Sequence, residues 1–138
     1  MSLTCRLPSF SLKKLIINGP SSVFIDEEGT WVLEIHVNNI GKGRISNVVM
    51  SNVIHLNHIS NVNVLSVSKG YALFVGHGIT WSIGSLKSEE EVVLSVEITG
   101  SFSEAGKQLL GEVNVLGLDP VLDTIVEGPV KDVEINVL

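Results

Sequence analysis

Four histidines, His36, His55, His58 and His77, make the most direct claim to chemistry in this chain. Imidazole is a common zinc ligand, and the step from His55 to His58 would suit one helical turn. The surrounding residues do not read as helix, no cysteine stands near them, and zinc needs three or four converging ligands. All four are expected on strands and loops facing water. Asp26, Glu27 and Glu28 offer oxygen ligands beside Gly29, and Asp119 and Asp123 do so in a later loop. Calcium takes such ligands, but neither spacing is that of a calcium loop, and adjacent carboxylates usually form a solvated turn. No metal site is expected. Lys14, Glu34 and Asn114 are the three residue types that form a Lys–Asn isopeptide bond, with the carboxylate as catalyst. Alternation places Glu34 opposite Trp31, Leu33, Ile35 and Val37, and Asn114 opposite Val113 and Val115. Both should face solvent, where that reaction is not driven.

Nucleophilic catalysis finds no support either. Cys5 is the one cysteine, with only Arg6 beside it to stabilise a thiolate, and no Ser-His-Asp or Cys-His arrangement can be assembled. Gly76-His77-Gly78 and Gly41-Lys42-Gly43 are turns, not phosphate loops, because no helix follows them. Trp31 and Trp81 are each in phase with aliphatic neighbours, which makes them core residues. No cofactor is expected, and the chain reads as non-enzymatic.

The elements that carry these residues are strands. In Thr30–Gly43, Trp31, Leu33, Ile35 and Val37 alternate with Val32, Glu34, His36 and Asn38. A period of two is that of a strand with one buried face, and Asn39, Gly41 and Gly43 then turn the chain. This is the expected central strand. Further strands are expected at Lys13–Asn18, Arg44–Ile54 (with a bulge), Asn61–Lys69, Tyr71–Val75, Ile79–Ile83, Glu91–Thr99, Leu109–Leu116 and Val130–Leu138. Val23–Ile25 is a short apolar patch, His55–Ser60 a connection, Gly100–Lys107 a polar turn and Leu118–Gly128 a loop. No stretch keeps a helical period and none repeats. About eight or nine short strands divided by turn residues make an all-β, immunoglobulin-like two-sheet sandwich. Residues 13–138 are assigned to that single domain and 1–12 to an N-terminal arm.

Composition narrows the function classes. The 138 residues suit one domain, which at this size needs no metal or disulfide to hold it. Hydrophobic residues reach 44%, yet no apolar run approaches the ~18 residues of a membrane helix. Charged residues are only 17%, against a usual ~25%, so Ser, Asn and Thr must carry much of the surface. The net charge of −6 disfavours nucleic acid and anionic membranes as partners. An intramolecular disulfide is impossible, and Met1–Phe10 lacks the apolar segment of a secretory signal.

Several stretches, in order, resemble the domain of unknown function 11 family, the conserved repeat of bacterial and archaeal surface proteins. Its Val-x-Asn-x-Gly turn is matched by Val37, Asn39 and Gly41, and its Asn-Val-Val segment by Asn47, Val48 and Val49. Its Thr-Trp-x-Ile-Gly-x-Leu segment is matched by Thr80, Trp81, Ile83, Gly84 and Leu86. Glu90 with Val92–Ile98, and the turn Gly117, Asp119 and Pro120, match later parts. The resemblance spans roughly Lys14 to Leu138. Two family features are missing: His55–Ser60 replaces a Leu-Pro-x-Gly turn, and Ser88-Glu89 replaces a Pro-Gly before the glutamate. The resemblance implies a β-sandwich found in stalks, adhesins, surface layers and spore-surface fibres, with no catalytic residues and no cofactor.

The function expected is therefore a structural module at a cell or spore surface: a spacer, adhesin segment or fibre subunit, partnered by other protein modules or copies of itself. The alternative is a module whose loops bind a carbohydrate or protein, for which Tyr71 and Phe102 are the aromatic candidates. The arm supplies a possible joint. Leu3, Leu7, Phe10 and Leu12 are apolar, and Ser9 and Ser11 alternate with Phe10 and Leu12, so the arm can pair with a neighbour's open sheet edge. Cys5, Leu7, Phe10 and Leu12 are the residues expected at such a contact, with Cys5 placed to bond a second chain.

Overall fold

The computed structural model describes residues 9–119 and 133–138, and residues 124–127 as backbone. Twelve strands follow in chain order among the described residues: β1 (Phe10–Asn18), β2 (Ser22–Val23), β3 (Gly29–Asn39), β4 (Ile45–Ile54), β5 (His58–Val67), β6 (Tyr71–Val75), β7 (Gly78–Leu86), β8 (Glu91–Ser101), β9 (Gly106–Leu109), β10 (Gly111–Asp119), β11 (Thr124–Glu127) and β12 (Glu134–Val137). They form a four-stranded sheet β1-β3-β8-β5, a five-stranded sheet β11-β10-β4-β7-β6 and a small sheet β2-β12-β9. The chain is an all-β, immunoglobulin-like sandwich.

Alternation builds the core. Trp31, Leu33, Ile35 and Val37 of β3 and Val92, Leu94, Val96 and Ile98 of β8 pair in register and turn the same way. The five-stranded sheet answers with Met50, Ile79, Trp81, Ile83, Val113 and Val115, all in the same buried cluster. Each such apolar side chain is worth about 1.5–3 kcal/mol relative to exposure, so this interface is the main source of stability. Both tryptophans are wholly buried, as expected. Burial obliges each indole N–H to find an acceptor. Trp31 Nε1 donates to the carbonyl of Pro20 at 2.8 Å, and Trp81 Nε1 to that of Lys69 at 2.8 Å. Phe102 packs edge-on to Trp31, with ring centroids 6.0 Å apart. Gly29 allows this packing, because a Cβ there would lie 2.6 Å from the Trp31 ring.

The Val37-x-Asn39-x-Gly41 turn has a clear physical role. Asn39 is buried, and its Nδ2 donates to the carbonyls of Gly43 (2.8 Å) and Leu86 (3.2 Å). Its Oδ1 accepts from the Gly41 N–H at 3.1 Å. One side chain thus closes the β3–β4 connection and ties it to the end of β7. The bulge expected in β4 lies at Ile45–Val49, opposite Gly84 of β7, where the register shifts.

Several boundaries differ from expectation. The first strand begins at Phe10, not Lys13, and pairs Phe10 with Asn39 and Leu12 with Val37. Phe10 and Leu12 are therefore buried in the protein's own core and cannot serve as contact residues for a neighbour. The inward row runs Phe10, Leu12, Lys14, so a lysine at a core position hid the period. Leu109 does not share a face with Val113 and Val115; it sits half-exposed on β9, and the inward row of β10 starts at Gly111. Strand β5 begins inside the expected His55–Ser60 connection, β9 begins in the expected Gly100–Lys107 turn and ends at Leu109, and β11 lies in the expected Leu118–Gly128 loop. These short strands raise the count above nine. Cys5, Leu7 and Asp123 fall outside the described residues.

Candidate interaction face

The sandwich has two outer faces, and they differ in chemistry. On the four-stranded sheet, β3 and β8 present Glu34, His36, Glu91 and Glu97, and β1 adds Lys13. His36 bridges the acids, with Nε2 3.0 Å from Glu34 Oε1 and Nδ1 3.3 Å from Glu91 Oε1. The centre of this face is charged and solvated, and its outer strands β1 and β5 expose Ile17 and Leu65.

The five-stranded sheet is unlike it. Its register sets three rows across the strands: Tyr71, Ser82, Val49 and Leu116; then Leu73, Thr80, Ser51 and Asn114; then Val75, Gly78, Val53 and Glu112. Half of these twelve side chains are large and apolar, five are Gly, Ser, Thr or Asn, and Glu112 is the one formal charge. Strand alternation explains the arrangement, because Val48, Met50, Asn52 and Ile54 turn inward and leave Val49, Ser51 and Val53 outside. The apolar character is densest on β6, where Tyr71, Leu73 and Val75 are 64%, 58% and 69% exposed.

Strand β6 is also the end of its sheet, bonded to β7 alone among the described residues. Gly70 sets it in place: its φ of +75° is one that L side chains rarely adopt, and a Cβ there would lie 1.9 Å from the Ser82 carbonyl. A groove of about 210 Å³ is lined by Leu56, Asn57, His58 and Ile59, and by Phe74, Gly76 and His77 at the end of β6 and the turn after it. Unpaired N–H and C=O groups on an edge strand with apolar outward side chains are the components of strand-addition recognition.

The residues singled out from the sequence are otherwise dispersed. His58 and His77 both line the groove; His36 lies on β3, two strands from β5, with its side chain between Glu34 and Glu91, and no group of three His, Cys, Asp or Glu that could hold a metal occurs among the described residues. The acidic turn serves local structure: Glu27 Oε1 accepts from the Phe24 N–H at 3.0 Å and Glu28 Oε2 from the Ser60 hydroxyl at 3.0 Å. Glu34 and Asn114 face outward on different sheets, as alternation requires, so the Lys14-Glu34-Asn114 set is not assembled. Lys14 turns inward instead, with Nζ 3.2 Å from Asn52 Oδ1 and 3.0 Å from the Gly111 carbonyl. Phe102 is buried against Trp31, so only Tyr71 of the two expected aromatics is available to a ligand. Phe24 and Phe74, which the sequence did not single out, are exposed. In Tyr-Ala-Leu-Phe-Val no polar residue marks the outer side, so the sequence held no signal for the β6 face.

No protein-family model matches the chain, and no curated protein matches it. Among solved structures, it is similar to BcpA*(D312A), the major pilin subunit of Bacillus cereus, at TM-score 0.55 and 10% identity, covering 94% of this chain and 40% of the pilin chain. It is similar to BslA, described as a bacterial hydrophobin, at TM-score 0.53 and 11% identity over 94% of this chain and 95% of that one. It is also similar to AvmM, which catalyses macrocyclization in alchivemycin A biosynthesis, at TM-score 0.54 and 12% identity over 94% and 88% of the two chains. At such identities the likeness is one of fold, and the fold carries both structural proteins and an enzyme.

Proposed function

We propose that this chain is a non-catalytic structural module of a surface protein, a spacer, adhesin segment or fibre subunit, joined to other modules or to copies of itself through its five-stranded sheet. The observation that carries this reading is the contrast between the two outer faces. Patches of exposed apolar side chains larger than solubility tolerates mark interaction surfaces, and here Tyr71, Leu73, Val75, Val49, Val53 and Leu116 share one face, whereas Glu34, His36, Glu91 and Glu97 hold the centre of the other. The resemblance to the domain of unknown function 11 family supports the same reading. So does the fold shared with a pilin subunit and a bacterial hydrophobin. Recognition of a sugar is less favoured, because burial of Phe102 leaves Tyr71 without its expected aromatic companion.

Labelling of whole cells with an antibody to this chain tests the proposal. Signal on intact, unpermeabilised cells or spores, and loss of that signal after external protease, is the expected result. Signal that appears only after permeabilisation overturns it.

A further inference from the structure

The sheet edges are not equally protected. Natural edges avoid unwanted pairing through charge, bulges or shortness. Strand β1 carries Lys13 and Lys14 and a register shift between Ile16 and Asn18. Strand β5 has two register shifts, Ile59/Asn61 and Val64/Ser66. In the small sheet, β2 is two residues long and β9 carries Lys107. Strand β6 has none of these devices: five residues, Tyr-Ala-Leu-Phe-Val, without charge, proline or bulge, in unbroken register with β7.

We propose that β6 pairs antiparallel with β6 of a second copy of this chain, about a two-fold axis at Leu73. This rests on the reading of the five-stranded sheet as an interaction surface and names its partner. The sequence of β6 is self-complementary in that register. Leu73 lies opposite Leu73 of the second copy, Tyr71 opposite Val75, and small Ala72 opposite large Phe74. Every cross-strand pair is apolar, the kind that stabilises antiparallel sheets.

Charge singles out a second copy over an acidic or basic partner. Two chains of net charge −6 repel unless they meet where neither carries carboxylates. On the outer face Glu112 lies on β10, beyond β7 and β4, and the ends of β6 are flanked by Lys69 and His77. Lys69 is already paired with Glu90 at 3.2 Å, so the antiparallel approach brings no like charges together. Pairing satisfies the open N–H and C=O groups of β6 in both copies and merges the two apolar faces into one. Because the contact is isologous it closes on itself, and this edge yields a dimer, not a filament.

Sedimentation equilibrium and site-directed cross-linking of the full chain test the proposal. The protein should sediment at twice its 14.9 kDa mass. Leu73→Lys, which sets two ammonium groups opposite each other, should sediment as monomer with an unchanged far-ultraviolet circular dichroism spectrum. In Leu73→Cys, mild oxidation should link residue 73 to residue 73, since directly opposed antiparallel residues lie within disulfide reach. Peptide mapping that finds instead a link from Cys5 to residue 73 makes the arm of a neighbour the occupant and overturns the proposal. So does a 80–80 link in Thr80→Cys without a 73–73 link in Leu73→Cys, which marks stacked faces. A wild-type monomer at every concentration tested also overturns it. None of these outcomes bears on surface labelling, so the proposed dimer and the proposed function fail separately.

Discussion

Lys14 of the four-stranded sheet reaches across the interior and donates to Asn52 of the five-stranded sheet, Nζ to Oδ1 at 3.2 Å. Both residues are buried, and the amide nitrogen of Asn52 makes no hydrogen bond among the described residues. The contact joins the two layers, and Lys14 Nζ also donates to the Gly111 carbonyl at 3.0 Å. Removing one member of a buried polar contact leaves the other less well satisfied, at a cost of about 1–3 kcal/mol, whereas replacing both by apolar groups of like shape is close to neutral. Asn52→Leu alone should therefore lower stability in urea by an amount in that range. In a Lys14→Met background the same change should cost markedly less, and equal costs in the two backgrounds would show that the residues are energetically independent.

Asn39 gives a second, sharper case, because one amide serves three backbone groups. Asn39→Ala should destabilise by about 3 kcal/mol, as the buried Gly41 N–H and Leu86 carbonyl lose their partner along with the exposed Gly43 carbonyl. Asn39→Asp is nearly isosteric but replaces a double donor with a carboxylate facing two carbonyls. Burial and those oxygens raise the pKa of the introduced acid in the folded state, so its charged form opposes folding. Its deficit relative to wild type should be large at pH 7 and shrink as pH falls and the group protonates. A deficit independent of pH would mean that the site admits water.

The strands that follow a strict period of two, β3, β8 and β7, were legible because each buries one face and exposes the other. The tryptophans were placed by the same logic. What escaped the sequence had specific physical causes. Lys14 occupies an inward position that Asn52 and Gly111 make tolerable from distant parts of the chain, so the beginning of β1 looked like an arm. Phe102 follows a strand into what looked like an exposed polar turn, yet Trp31 and Gly29 leave room for its ring. The candidate face on β6 was invisible because its residues are apolar on both sides. Only the topology, which puts β6 at the end of its sheet, separates it from a core strand.

Glu89 occupies a backbone conformation that suits glycine better. Its φ is +66°, and its side chain is exposed, so nothing evident in packing compensates. A left-handed conformation costs an L residue roughly 1–2 kcal/mol, and glycine gives back about 0.4–1 kcal/mol through a freer unfolded chain. Glu89→Gly should stabilise the protein by between about 0 and 1.6 kcal/mol, read as a rise in the urea midpoint with unchanged slope. A loss of stability would show that the glutamate has a stabilising role outside the turn.

Glu90, next in the chain, links the same turn to pH. Its Oε1 accepts from the Lys87 N–H at 2.9 Å, and its carboxylate faces the Lys69 ammonium at 3.2 Å. The Lys87 backbone bond, first, and then Lys69 hold its pKa below the usual glutamate value against the opposing effect of burial. A depressed carboxyl favours the folded state while it is ionised. That stabilisation is present above the pKa of the unfolded chain and is lost as pH falls through the lower folded value. Glu90→Gln removes the charge at every pH, so wild type should melt above the variant at pH 7 and the gap should close on the acid side of the glutamate range. The carboxylate is partly exposed and its pair with Lys69 is screened by salt, so the gap should also narrow in concentrated sodium chloride. A gap that persists unchanged into strong acid would assign the effect of the substitution to shape, not to charge.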